Sequence, residues 1–236
     1  MDERSARDDS ALLPARLVEG YEMFLRGRFR REQDRYRDLA DRGQSPNVLL
    51  IGCCDSRVSP EVIFDADPGE IFVLRNIANL IPPYASDCER HGTSAALEYA
   101  VKVLKVGHIV IMGHAMCGGV RAYVETQSGF DVKLAPGDFI GQWISLLGEA
   151  AAKLGPRTEP AADYAERLGR AAIVESIANL RTFPDVRAAE AAGELVLHGA
   201  YFGVSDGKLF GLDEATGKFE LLAANAHAAA LGTPRF

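Results

Sequence analysis

Apolar positions along the first third of the chain recur at helical spacing. Leu13, Leu17, Tyr21 and Phe24 fall three or four apart, which predicts an amphipathic helix with Pro14 in its first turn. A second helix is expected over Arg30 to Ala40, and "GQSPN" then breaks the pattern. The period changes at Val48. "VLLIG" is a short, continuously apolar run, as in a strand buried on both faces; "IFVL" from Ile71 repeats it, and "HIVIM" from His108 gives a third. Between them, Thr93 to Leu104 reads as a helix with Ala96, Tyr99, Ala100 and Val103 along one side. Further helices are expected over Gly137 to Leu154, with Ile140, Trp143, Ile144, Leu147 and Ala151 inward, and over Ala161 to Leu180. "ELVLHGAYFGVSDGKLFGLD" reads as a hairpin with Asp206–Gly207 as its tight turn. Trp143 reads as a core anchor. Strands that alternate with helices imply parallel pairing. The fold class expected is therefore α/β, a central, mostly parallel sheet with an antiparallel edge element, flanked by helices.

Composition narrows the functions. The 236 residues are 47% hydrophobic and 25% charged, which suits a single globular α/β domain or a domain with long helical additions. Lys plus Arg total 26 against 33 for Asp plus Glu, a formal charge of −7, so no nucleic-acid partner is expected. The Arg-dense stretch "RGRFRREQDRYRDLADR" is interleaved with acids and reads as a solvated helix face. No apolar run has membrane-spanning length, and "MDERSARDDS" lacks the apolar core of a signal peptide, so a cytoplasmic protein without membrane contact is expected. Four cysteines, Cys53, Cys54, Cys88 and Cys117, then point to metal binding or catalysis rather than a disulfide framework.

The chemistry gathers in two places. "CCDSR" (Cys53 to Arg57) follows "VLLIG", and "GHAMCGG" (Gly113 to Gly119) follows "HIVIM". The carboxyl ends of neighbouring parallel strands converge on one crevice, so Cys53, His114 and Cys117 can meet. Two thiolates and an imidazole are a zinc ligand set with one tetrahedral position open, the composition of a catalytic site. Cys54, by strand alternation, points away from Cys53 and is expected to pack. His108 opens a buried strand and reads as structural; neither it nor His91, His198 or His227 is assignable as a proton shuttle.

"C-C-D-S-R" with "G-H-A-M-C-G-G" resembles the β-class carbonic anhydrases, whose hallmarks are C-x-D-S-R and H-x-x-C; the likeness is close from Gly43 to Val120. The resemblance implies one zinc per chain on Cys53, His114 and Cys117, with a zinc-bound hydroxide that hydrates CO2 reversibly to bicarbonate and a proton. It assigns Asp55 and Arg57 as the catalytic dyad and Gln44, Phe72, Ile77, Tyr99 and Gly118 to the substrate pocket. Part of that pocket comes from a second subunit in the family. A homodimer or a higher multiple is thus implied, with a helical arm (1–42) lying on the partner and a catalytic core over 43–236. Family members commonly carry Ser where Ala115 stands. Some bacterial members close the site at lower pH around a Trp three positions before the first Cys ligand; here that position is Leu50, and "IANLIPPY" resembles the plant-type, open group. Alternatives on the same residues are hydrolysis of carbonyl sulfide or carbon disulfide, or a non-catalytic zinc module with Asp55 as fourth ligand. Phosphate binding at "CGG" lacks the P-loop Lys and Ser/Thr.

Overall fold

The computed structural model describes residues 12–86, 91–127 and 138–232. Cys88 and Gly137 lie outside them. Two compact units divide at Gln44 and Ser45. In the first, α1 (Ala15–Phe24) passes through a wide turn (Leu25–Phe29) into α2 (Arg30–Arg42). Pro14 stands before α1, not in its first turn, and its carbonyl accepts from Leu17 N–H at 2.8 Å; Leu13 therefore precedes the helix. Phe24, Phe29 and Tyr36 form an aromatic cluster with ring centroids 5.3–6.0 Å apart. The arginines pair along the helix, Arg26 with Glu22 and Arg28 with Glu32. Leu17 and Tyr21 are exposed.

The second unit is built on six strands: β1 (Val48–Cys53), β2 (Ile71–Asn76), β3 (His108–His114), β4 (Val196–Phe202), β5 (Leu209–Asp213) and β6 (Lys218–Leu221). Their order is β2-β1-β3-β4-β5-β6. The first four are parallel, and β5 and β6 add antiparallel edges. This is the α/β architecture that the alternation of patterns predicts. The helices are α3 (Pro60–Ile63), α4 (Gly92–Glu98), α5 (Gly118–Gln127), α6 (Phe139–Ile144), α7 (Leu147–Leu154), α8 (Ala161–Leu180), α9 (Pro184–Ala191) and α10 (Ala224–Gly232).

Leu49, Ile51, Ile109 and Ile111 are wholly buried on one sheet face, against Leu97 of α4 and Ile173, Ile177 and Leu180 of α8. Each such side chain contributes roughly 1.5–3 kcal/mol through its burial. Gly199 lets α8 approach: a Cβ there would lie 2.8 Å from Ile173 Cγ2 and 3.0 Å from Leu212 Cβ. On the opposite face, Leu50, Met112 and Ala200 pack together.

Several expectations need correction. The run "IFVL" is an edge strand, and all of β2 is only half-buried. The Thr93–Leu104 helix widens from Tyr99 to Leu104, and its inward side is Leu97, Ala100, Val101 and Leu104, leaving Tyr99 and Val103 exposed. The helix expected to run to Leu154 is two, α6 and α7, with a break where Ser145 Oγ donates to the Gln142 carbonyl. The β4–β5 connection is a six-residue loop, Gly203 to Lys208, rather than a two-residue turn; Gly203 N–H and Lys208 O close it, and Gly207 takes φ 68° within it. Trp143 is only half-buried, and its indole N–H donates to Ile77 O at 2.8 Å.

Candidate metal centre

Register brings the chemistry to one edge. Cys53 ends β1 level with Asn76 of β2, and His114 ends β3 level with Phe202 of β4. Cys117 immediately precedes α5, whose first backbone N–H groups, those of Gly119 and Val120, face its sulfur. Cys53 Sγ takes N–H contacts from Asp55 and Ala78. Such amides and a helix N-terminus favour thiolate over thiol.

Cys53, His114 and Cys117 place one ligand atom each within 4.8 Å of one another, and all three residues are buried. The sulfurs are 3.9 Å apart. A tetrahedral ion with metal–sulfur bonds near 2.3 Å sets that separation at about 3.8 Å. His114 Nδ1–H donates to the Ala115 carbonyl at 2.9 Å, which fixes the tautomer and leaves a lone pair on Nε2. That Nε2 is buried and has no hydrogen-bond partner among the described residues. Cys53 is pulled down, chiefly by its hydrogen bond with Cys117, while Cys117 is pushed up by the same partner and by burial. A divalent ion would let both ionise. The donor set therefore fits zinc: two soft sulfurs, one oriented imidazole, and a buried nitrogen with nothing else to bind.

Beside it, Asp55 and Arg57 form a bidentate pair. Arg57 Nε donates to Asp55 Oδ1 at 2.9 Å and Nη2 to Oδ2 at 2.7 Å, and the Arg57 backbone N–H adds a third bond to Oδ1 at 3.0 Å. These bonds hold the Asp55 carboxyl well below the usual carboxylate range. Arg57 Nη2 also donates to Met116 O, tying the two loops together. Asp55 Oδ2 lies 4.0 Å from His114 Nε2, beside the ligand atoms yet committed to Arg57. Both carboxylate oxygens accept from Arg57, and Oδ2, with one donor, keeps a further lone pair.

Sequence reasoning missed Arg75. From the edge strand its Nε donates to Cys53 O at 2.8 Å and its Nη2 to Asp55 O at 2.7 Å. One guanidinium thus fixes the backbone on both sides of Cys54, and with it the directions of Cys53 and Asp55. Nothing in "VLRNI" marks this, because the partners are carbonyls. Gly119 is the other hidden requirement. A Cβ there would lie 2.8 Å from Ile77 Cγ2 and 3.2 Å from Ala78 Cβ, and Ala78 itself holds φ 60°. Cys54 is exposed, so the packing expected of it does not occur.

The pocket residues divide. Gly118 follows Cys117 directly, with nothing within 4 Å of where a Cβ would stand, and Ile77, 38% exposed, lies against Gly119. Phe72 and Tyr99 pair instead with each other, their centroids 5.9 Å apart. Phe72 lies four residues before Asn76, about 13 Å along the strand from the level of Cys53. Gln44 is the last residue of the first unit, not of the unit that carries the cysteines.

Residues 48–209 match the sequence profile described as carbonic anhydrase. The carbonic anhydrase of Pseudomonas aeruginosa is 35% identical over 92% of this chain and 95% of its own length. The structure of the β-carbonic anhydrase CcaA superposes with a TM-score of 0.76 at 29% identity, covering 87% of this chain and 90% of that one. One of two tetrameric β-carbonic anhydrases from Sordaria macrospora gives 0.66 at 29% identity, covering 88% and 95%. With the profile spanning most of the chain and the relatives nearly all of it, the chain belongs to the β-carbonic anhydrase family of enzymes.

Proposed function

We propose that the chain catalyses the reversible hydration of CO2 to bicarbonate and a proton, with one zinc per chain held by Cys53 Sγ, His114 Nε2 and Cys117 Sγ. The observation that carries this reading is the buried, unpartnered His114 Nε2, turned by its Nδ1–H bond toward two thiols. When bound, zinc supplies a Lewis acid that brings water's pKa toward about 7, so that a nucleophile exists near neutral pH. Asp55 Oδ2 is placed to accept a hydrogen bond from the reacting water and to aim its lone pair at the CO2 carbon. Arg57 occupies both Asp55 oxygens from the far side and keeps the carboxylate ionised and off the cysteine–histidine group. Ile77 and Gly118 give CO2 an apolar, unhindered approach.

The same pair supports the open resting form at neutral to mildly alkaline pH, in which water or an exogenous anion takes the fourth position. Leu50, 2% exposed and packed with Met112 and Ala200, offers no ring N–H where those bacterial members carry the Trp. Phe72, Tyr99 and Gln44 complete the substrate pocket of a second copy of the chain. Supporting this, Phe72 is far along the strand from Cys53, Tyr99 is 44% exposed, and the Sordaria enzymes are tetrameric. The proposed assembly is a dimer or a multiple of it, reached by the arm expected over 1–42, of which residues 1–11 lie outside the described residues. No helix among the described residues is long and apolar enough to cross a membrane. Cys53, Cys54 and Cys117 are free thiols, which supports a reducing compartment such as the cytoplasm.

Metal analysis tests the assignment. One zinc per chain is expected, lost in Cys53→Ser and in His114→Ala. Full retention of zinc in both variants would refute these ligands.

A further inference from the structure

The sheet carries a second group of metal-ligating side chains, remote from the cysteines. His108 opens β3 and His198 stands in β4, two residues along the register, where His108 is level with Val196 and Val110 with His198. Their rings meet with centroids 5.2 Å apart, and His108 Nδ1 lies 3.1 Å from His198 Nε2. Strand alternation puts both side chains on the sheet face of Leu50, Met112 and Ala200, away from the face that α8 covers. His114 is six residues further along β3, about 20 Å from His108. The pair therefore belongs to a different part of the molecule and serves no step of the hydration chemistry.

We propose that His108 Nδ1 and His198 Nε2 form a two-imidazole site for a borderline divalent cation such as Ni2+, Cu2+ or Zn2+. Imidazole is the side chain these ions favour. Two imidazole nitrogens on one tetrahedral ion, with bonds of 2.0–2.1 Å, stand about 3.3 Å apart, and on adjacent corners of a square about 2.9 Å. The observed 3.1 Å falls between, so small ring rotations replace the shared proton by an ion. His198 is exposed and borders a hollow of about 440 Å³ that Asp213 and Glu220 also line, which gives an ion a route in, room for its waters, and negative charge nearby. Partial desolvation of the ring and the neighbouring His108 lower the His198 pKa, which keeps its lone pair available. The two ligands come from adjacent strands, so an ion here pins β3 to β4 at the end opposite the cysteines. The site stands independently of the proposed hydration activity.

The test uses untagged, full-length, zinc-loaded protein and Ni2+ as the probe, followed by calorimetry with metal analysis after gel filtration. The expected result is one Ni2+ per chain beyond the zinc, with binding weakened about tenfold or more in His108→Gln and in His198→Gln alike. Zinc content and CO2 hydration should stay unchanged in both, which separates loss of this site from loss of the fold. No Ni2+ beyond the zinc in the wild type would overturn the proposal, as would Ni2+ binding undiminished in either variant.

Discussion

Asp55 sits between two demands, one from Arg57 and one from the cysteine–histidine group 4.0 Å away. In Asp55→Asn the carboxylate charge goes and an amide N–H competes for the same space. The variant should keep its zinc and lose about 10²–10³-fold in hydration rate, the scale set by removal of one oriented polar contact at a reacting atom. Zinc retained with an unchanged rate would remove Asp55 from the reaction. Arg57→Ala frees both Asp55 oxygens, and the carboxylate should then reach the metal. The expected sign is a slow, zinc-replete enzyme that no longer binds inhibitory anions; unaltered anion binding would contradict it. Arg75→Met leaves the carbonyls of Cys53 and Asp55 without their donor. It should lower stability by about 1–3 kcal/mol in denaturant unfolding, with Arg75→Lys recovering part of that and of the activity. At this scale the sequence was informative wherever a side chain acts directly on another group. Cys53, His114, Cys117, Asp55 and Arg57 stand in spaced motifs whose chemistry can be read. Arg75 and Gly119 act through backbone carbonyls and through the absence of a Cβ, which leave no pattern of residue types.

The strands and helices were legible in proportion to how far the hydrophobic pattern alone decides them. β1, β3 and α8 are buried against partners of the same chain, and their apolar runs mark them out. β2 carries the same kind of run but lies at the sheet's edge, so its apolar character implied more burial than one chain provides. Periodicity did not reveal the break between α6 and α7, because Ser145 makes it with a bond to a carbonyl, nor the widening at Tyr99. The second hairpin turn, Glu214 to Gly217 between β5 and β6, was hidden behind the stronger "DG" of the first loop. Gly199 tests the packing of α8 on the sheet. Its replacement by Ala would press a methyl on Ile173 and Leu212, two residues with little freedom to move, and should cost about 1–3 kcal/mol in urea unfolding. An unchanged midpoint would mean that the helix sits further from the sheet than described.

For the molecule as a whole, the main consequence of the proposed function is a pocket shared between two copies. Tyr99, 44% exposed, pairs with half-buried Phe72, while the cysteine–histidine group is buried at the strand ends. A lone chain should therefore lack a complete substrate pocket. Sedimentation velocity is expected to find a dimer or a multiple of it, and Tyr99→Asp should lower both assembly and hydration. A fully active monomer at assay concentration would contradict the shared pocket. The central claim, a zinc held by Cys53, His114 and Cys117 that serves CO2 hydration, is tested most directly by stopped-flow hydration of CO2 on one preparation in two states: loaded with one zinc per chain, and stripped of metal by a chelator. Hydration well above the buffer rate in the loaded state, abolished on stripping and restored by zinc, is the predicted result. A protein that holds one zinc per chain on these residues and hydrates CO2 no faster than buffer would contradict the account.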